Sequence, residues 1–159
     1  SLRAAGGADR GVALDASDDA VKTVASTAAA LGFSNVEALC ANAFDYLREC
    51  DLRGDAFDTV ILDPPAFAKH KGALEAATRG YKEINLRAMK ALAPGGLLFT
   101  FSCSYHVDEA LFCATVMDAA ADAGRRVFVV RRLEQSLDHP ILMGFPESAY
   151  LKGFLLRVE

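Results

Sequence analysis

The chain has 159 residues, 52% hydrophobic and 24% charged, with 17 basic against 21 acidic side chains and a formal net charge of -4. That balance excludes disorder, collagen and coiled coil and describes one soluble domain, which at this length should bury about 70% of its unfolded surface. Net acidity also argues against strong non-specific nucleic-acid binding, which rests on neutralised phosphates, without excluding RNA as a substrate.

The N-terminus, Ser1-Leu2-Arg3-Ala4-Ala5, has no charged segment followed by an apolar stretch, and no apolar run approaches the roughly 18 residues of a membrane span. A cytoplasmic protein with no membrane partner is the expectation. Cys40, Cys50, Cys103 and Cys113 form no Cys-x-x-Cys pair, and with His70, His106 and His139 they make no zinc-type spacing. Reduced thiols and no metal are expected.

Strand-like and helix-like segments alternate along the chain without repeats or linkers, which implies an α/β domain. Gly6-Gly7-Ala8-Asp9-Arg10-Gly11 lacks the middle glycine of a dinucleotide fingerprint and precedes a strand instead of following one, so it reads as a helix-to-strand turn. Gly11 to Leu14 is a short apolar run stopped by Asp15. Ser17 can cap a helix carrying Asp18 and Asp19 in its first turn, with Val21, Val24, Ala28 and Leu31 as an apolar stripe and Gly32 just past its end. Val36 to Leu39 starts the next strand, and Phe44 to Glu49 suits a short helix.

Phe57 to Leu62 is a buried parallel strand that halts at Asp63-Pro64-Pro65, because prolines donate no ladder hydrogen bonds. Helical spacing runs from about Leu74 through Ala77, Tyr81, Ile84, Ala88 and Ala91. Pro94-Gly95-Gly96 then breaks the helix and launches a central strand, Leu97 to Phe101. Asp108 and Glu109 open a further helix with Leu111, Phe112, Val116 and Ala119 inward, closed by Gly124. Val127 to Val130 and Tyr150 to Val158 are the last strands. No helix connects them, so this pair is expected to be antiparallel at a sheet edge.

Ligands of open α/β sheets bind outside the carboxyl ends of the strands, which directs attention to Asp15, Asn42, Asp63 to Phe67 and Ser102 to His106. Asp15 could accept both hydrogen bonds of a ribose diol or serve as a turn aspartate. Asp63-Pro64-Pro65-Ala66-Phe67 could present Asp63 and rigid carbonyls to a ligand, or merely end a strand with Phe67 packed inward. Cys103 is either a buried structural thiol or a nucleophile. Flanking Ser102 and Ser104, and a helix starting nearby whose amides favour a thiolate, point to the second. Cys40, Cys50 and Cys113 lack such a setting and read as structural. Lys69, His70 and Lys71, with Arg79 and Lys82, could face a phosphate backbone or form a solvated surface. His139, before Pro140, could orient a ligand or stabilise a turn.

Taken in order, Asp63-Pro64-Pro65-Ala66-Phe67, Arg79-Gly80-Tyr81-Lys82-Glu83-Ile84-Asn85, Pro94-Gly95-Gly96, Phe101-Ser102-Cys103-Ser104, and Asp138-His139-Pro140 with Tyr150-Leu151-Lys152-Gly153 cover nearly the whole chain. In these motifs the sequence resembles the class I S-adenosylmethionine-dependent methyltransferases that make 5-methylcytosine in large-subunit ribosomal RNA. The resemblance implies a Rossmann-like, mostly parallel sheet with an antiparallel edge strand, and S-adenosylmethionine as cofactor. It implies that Asp15 binds the ribose of the cofactor, that Asn42 and Phe44 lie by the adenine, and that Asp63 to Pro65 line the methyl-transfer site, Asp63 and Pro64 on the cofactor side. Pro65, Phe67 and Lys69 would meet the substrate, with Cys103 as nucleophile and Asp63 assisting.

Two departures from the family pattern stand out. The glycine-rich first strand, which belongs in the middle of the sheet, and the upstream RNA-binding module of the PUA type have no counterpart in residues 1–159, so a fragment of a longer protein is expected. Asn42 stands where the family tends to place an aspartate. Ribosomal RNA is the implied partner, and a homodimer is compatible with the sequence. Competing readings are nitrogen methylation of a guanine or exocyclic amine in RNA, and a cofactor-less RNA-binding fragment. Amino methyltransferases place an aromatic ring directly after Asp/Asn-Pro-Pro, whereas here Ala66 intervenes.

Overall fold

The computed structural model describes residues 7–68 and 71–159, which divide into two compact units, one ending at Glu49 and the other beginning at Cys50. In the first unit, strand β1 (Gly11–Asp15) leads to helix α1 (Asp18–Ala30) and strand β2 (Val36–Cys40), and the chain then enters helix α2 (Ala43–Arg53). β1 and β2 pair in parallel, with Gly11 opposite Val36 and Asp15 opposite Cys40. The ends of α1 follow their local chemistry. Ser17 caps its N-terminus by accepting from the Ala20 N–H, Asp18 and Asp19 occupy the first turn, and Gly32 takes up φ 75° after the last turn.

Only part of the expected apolar stripe of α1 is buried. Ala28 is inside, but Leu31 is 60% exposed because the helix ends there and its capping turn points the residue outward. Helix α2 is longer than the expected Phe44 to Glu49, since Asn42 caps it one residue earlier and Arg53 lies favourably at its C-terminal dipole end.

The second unit holds strand β3 (Phe57–Leu62), helix α3 (Leu74–Lys90), strand β4 (Leu92–Ser102), helix α4 (Glu109–Ala123), strand β5 (Val127–Leu133) and strand β6 (Lys152–Val158). Its sheet runs β3-β4-β6-β5, with β3 and β4 parallel and β6 antiparallel to both of its neighbours. The expected antiparallel edge pair is therefore present. β4 begins at Leu92, five residues before the expected start. Pro94-Gly95-Gly96 sits inside it as an irregularity, between the Phe57–Leu92 and Thr59–Leu97 pairings. Gly95 adopts φ 82° there, and a Cβ on Gly96 would lie 2.9 Å from the Ala93 carbonyl oxygen, so both glycines are used by the backbone.

The core of this unit lies between the sheet and the pair α3 and α4. Tyr81, Ile84, Ala88 and Met89 from α3 and Phe112, Val116 and Ala119 from α4 are buried with Leu98, Phe154, Leu156 and Val158 of the sheet. Phe112 stacks on Phe154 at 5.8 Å between centroids and meets Tyr81 edge-on at 5.3 Å. Asp108 caps α4 by accepting from the Leu111 N–H at 2.8 Å, and Gly124 ends it with φ 64°. Among the described residues no helix is long and apolar enough to cross a membrane, and no group of three or more His, Cys, Asp or Glu side chains could hold a metal.

One guanidinium joins three elements at the far end of this sheet. Arg125 donates to the carbonyls of Met89 and Leu92 at 2.9 Å each, to that of Ala93 at 3.3 Å and to that of Val158 at 3.5 Å. These bonds satisfy the Met89 carbonyl in the last turn of α3 and lock the start of β4 to the end of β6. Replacing Arg125 by Met keeps the stem but strands those acceptors. The expected cost is about 2–3 kcal/mol of unfolding free energy, read as a lower urea midpoint with an unchanged slope.

Candidate functional site

In the first unit, the polar residues expected at the strand ends stand side by side. Asp15 ends β1, and its backbone carbonyl accepts from the Ala41 N–H at 3.0 Å, which fixes the turn beyond β2 beside it. Asp15 is exposed. Its Oδ1 accepts from the Ser17 N–H at 2.8 Å, so one carboxylate oxygen braces the turn while the other has no protein partner among the described residues. Asn42 uses Oδ1 to cap α2 through the Phe44 and Asp45 N–H groups at 2.8 and 3.4 Å. Its side-chain N–H₂ makes no protein hydrogen bond among the described residues. Phe44 is half-buried in the first turn of α2.

In the second unit, the Asp-Pro-Pro turn and the cysteine meet. β3 and β4 are neighbours in parallel, so their carboxyl ends, Leu62 and Ser102, lie at one edge of the sheet. Asp63 and Pro65 are exposed and Pro64 is half-buried, and the Cys103 Sγ approaches the Pro64 carbonyl oxygen at 3.9 Å. Prolines keep that carbonyl rigid and remove competing N–H donors. Cys103 is partly accessible, unlike Cys50, which is fully buried. Cys40 is exposed instead of buried as a structural thiol would be, because it ends β2 at the solvent edge, where its Sγ reaches only the Ala16 carbonyl at 3.6 Å.

Ser104 holds the turn and the cysteine in place. Its hydroxyl accepts from the Ala68 N–H at 3.2 Å and shares a 2.9 Å hydrogen bond with the Tyr81 hydroxyl, and all three residues are buried. The Arg79-Gly80-Tyr81 motif of α3 explains itself here. A Cβ on Gly80 would lie 3.2 Å from the Phe67 ring, so glycine lets Phe67 rest on the helix, while the Tyr81 ring packs at a tilt against Phe67 with centroids 4.7 Å apart. Phe67 is thus a packing residue of the turn, whatever further contact it makes.

The sequence gives Ser104, inside the Ser102 to His106 strand end, and Lys152, inside the last motif, no role of their own. Lys152 opens β6 in register with Ser102, and its Nζ donates to the Ser104 carbonyl at 2.8 Å and the Tyr150 carbonyl at 2.9 Å. Burial pushes its pKa below the usual lysine value, and the charges of Cys103 and Asp108 oppose that shift. A lysine heading an otherwise apolar strand, in Tyr150-Leu151-Lys152-Gly153, was the available signal. Of the helix amides expected to support Cys103, that of Leu111 is taken by the Asp108 carboxylate, and the cation nearest in the hydrogen-bond network is Lys152, on the carbonyl of the residue after Cys103.

Other candidates fall on the surface. Lys69 and His70 lie outside the described residues, Arg79 is ion-paired with Glu75, and Lys82 with Asp122 at 2.8 Å, so these last two serve helix surfaces. The hydrogen bond that Lys82 donates to the Asp122 carboxylate raises the Lys82 pKa. His139 belongs to a turn: its N–H donates to the Ser136 carbonyl at 2.9 Å and its carbonyl accepts from Gln135 at 3.2 Å. Beside Lys152 a groove of about 1000 Å³ is lined by Tyr105, His106, Arg131 and Tyr150, among others.

Comparison with known proteins adds to this geometry. No family model matches the chain. It is similar to the ribosomal RNA large subunit methyltransferase I of Vibrio cholerae serotype O1, 47% identical over 157 residues, which cover 96% of this chain and 40% of that protein. The chain therefore spans about two fifths of the length of the relatives it matches. Among solved structures it superposes on the methyltransferase SMU.776 in complex with SAH, with a TM-score of 0.83 and 18% identity, over 98% of this chain and 41% of that one. A structure described as a SAM-dependent methyltransferase from Streptococcus mutans gives the same TM-score and identity over 98% of this chain and 40% of that one. The fold is accordingly the α/β, Rossmann-like class I methyltransferase type, with parallel and antiparallel strands.

Proposed function

We propose that this chain is the catalytic portion of an S-adenosylmethionine-dependent methyltransferase that modifies carbon 5 of a cytidine in large-subunit ribosomal RNA, with Cys103 as nucleophile. The observation that carries the reading is the approach of the Cys103 Sγ to the Pro64 carbonyl at 3.9 Å, which puts a partly accessible thiol at the Asp-Pro-Pro turn. The 47% identical relative named for large-subunit ribosomal RNA methylation supports the substrate class, and the neighbour complexed with SAH supports the cofactor.

The residues of the first unit suit the cofactor's polar groups. Asp15 has an uncommitted carboxylate oxygen at a strand end for the ribose, and the Asn42 side-chain N–H₂ is available for the adenine, with Phe44 as its apolar neighbour. When bound, S-adenosylmethionine supplies an electrophilic methyl group on a sulfonium.

Carbon 5 of cytosine is a weak nucleophile until carbon 6 is attacked. Cys103 gives its proton to solvent, and its sulfur adds to carbon 6, pushing the electron pair of the 5,6 double bond towards carbon 5. Once carbon 5 carries the methyl group it still holds its original proton. Loss of that proton to water returns the electron pair to the ring, and the carbon–sulfur bond breaks to release the Cys103 thiolate. Asp63, exposed at the end of β3, bonds the base edge and favours protonation of the ring nitrogen as sulfur adds. Pro65, Phe67 and Lys69 belong to the substrate side of this turn. The site lies in the cytoplasm on this reading, where ribosomal RNA is modified and thiols stay reduced.

The glycine-rich first strand and the PUA-type module that the resemblance implies belong, on the same reading, to preceding sequence of a longer protein. Support comes from β1, which pairs on one side only among the described residues, and from the two-fifths coverage of the relatives. Hydrogen exchange tests this: amides on the open side of β1 should exchange rapidly in the 159-residue chain and become protected when upstream sequence is restored. Equal exchange in both would refute the added strand.

Cys103→Ala in the full-length protein should reduce methyl transfer to ribosomal RNA by on the order of 10³-fold or more, because no other group can raise the nucleophilicity of carbon 5. Tritiated-methyl incorporation measures it. Retention of most activity would reject cytosine-5 chemistry in favour of nitrogen methylation.

A further inference from the structure

Lys152 occupies a position that is expensive for a lysine. Its β6 register places it opposite Ser102, yet its Nζ reaches the Ser104 carbonyl, so the side chain spans the stretch of β4 end that carries Cys103. Two of its three ammonium protons go to the carbonyls of Ser104 and Tyr150, and the third has no protein acceptor among the described residues. Those two bonds could hold the loop equally well from a neutral donor. A half-buried full charge, partly stripped of water, invites a further reason.

That reason lies in the surroundings of the sulfur. The Pro64 carbonyl, 3.9 Å from Sγ, accepts a hydrogen bond from a neutral thiol and repels a thiolate. Among the described residues, the other titratable groups of these strand ends are Asp63 after β3 and Tyr105, His106 and Asp108 between β4 and α4, and Asp108 already caps the helix. Both carboxylates disfavour a second negative charge. A cation at this edge would offset that repulsion.

We propose that Lys152 is a positioning residue that sets its ammonium charge beside Cys103 and stabilises the sulfur as an anion, both before it attacks and as it is expelled. The catalytic use of this pair rests on the reading of Cys103 as nucleophile, but the pair itself does not. Burial lowers the Lys152 pKa while the Cys103 charge raises it, which is the same attraction seen from the lysine.

The test reads local charge at each sulfur in the full-length protein, without methyl transfer. Alkylation by anionic iodoacetate and by neutral iodoacetamide is followed at neutral pH by peptide mass spectrometry, with Cys113 of α4 as internal reference. A cation beside Cys103 raises its iodoacetate to iodoacetamide rate ratio. In Lys152→Met that ratio should fall by about threefold or more and the iodoacetamide rate should fall with it, while Cys113 is unchanged and Lys152→Arg restores both. A merely structural lysine would alter both reagents alike and leave the ratio at Cys103 unmoved, which would overturn the proposal, as would an arginine variant as low as the methionine one. Should Lys152→Met fail to fold, the wild-type protein decides: raising salt from about 0.05 to 1 M must lower the Cys103 ratio more than the Cys113 ratio, and equal loss at both overturns the proposal. Failure here leaves the nucleophile assignment standing, and an inert Cys103 in methyl transfer would leave the ion pair standing.

Discussion

The reactive edge of the second unit depends on one serine. Ser104 is fully buried, and its polar groups reach several elements: the hydroxyl takes the Ala68 N–H of the Pro-Pro turn and bonds with the Tyr81 hydroxyl of α3, and the carbonyl takes Lys152 of β6 and the Val107 N–H. The residue immediately before it is Cys103. A buried polar network is stabilising only when each member is satisfied, and here satisfaction requires the turn, the helix and the two strands to be in place together. The sulfur is therefore held by backbone geometry that four elements define, instead of by a mobile loop.

The same node explains why widely separated motifs travel together. Gly80 opens space for Phe67, Tyr81 packs against Phe67 and bonds to Ser104, and Ser104 fixes Ala68 one residue beyond Phe67. Changing any one of these would loosen the turn that carries Asp63 to Pro65. Rigidity of this kind is what a site needs when the reacting atoms must be held within fractions of an ångström.

Much of this was readable from residue order. Ser17, Gly32, Asp108 and Gly124 act at the helix ends where capping chemistry places them, and the Asp-Pro-Pro turn and Cys103 lie at neighbouring strand ends as an α/β alternation requires. What stayed hidden depended on tertiary neighbours. Pro94-Gly95-Gly96 looks like a break but is accommodated inside β4, because the strand's pairing with β3 resumes at Leu97. Leu31 fits a helical stripe by spacing, yet helix termination leaves it outside. Lys152 gains its place at the end of β4 only once β6 is paired antiparallel with β4, a register that no local pattern encodes.

The central claim is that Cys103 forms a bond to carbon 6 of a cytidine. Incubating the full-length protein with S-adenosylmethionine and ribosomal RNA containing 5-fluorocytidine tests it, because fluorine cannot leave carbon 5 as a proton does and the thioether is trapped. Peptide mass spectrometry should find the nucleotide attached to Cys103. Methyl transfer to unmodified RNA under the same conditions, with no adduct on Cys103 from the fluorinated RNA, would contradict the account.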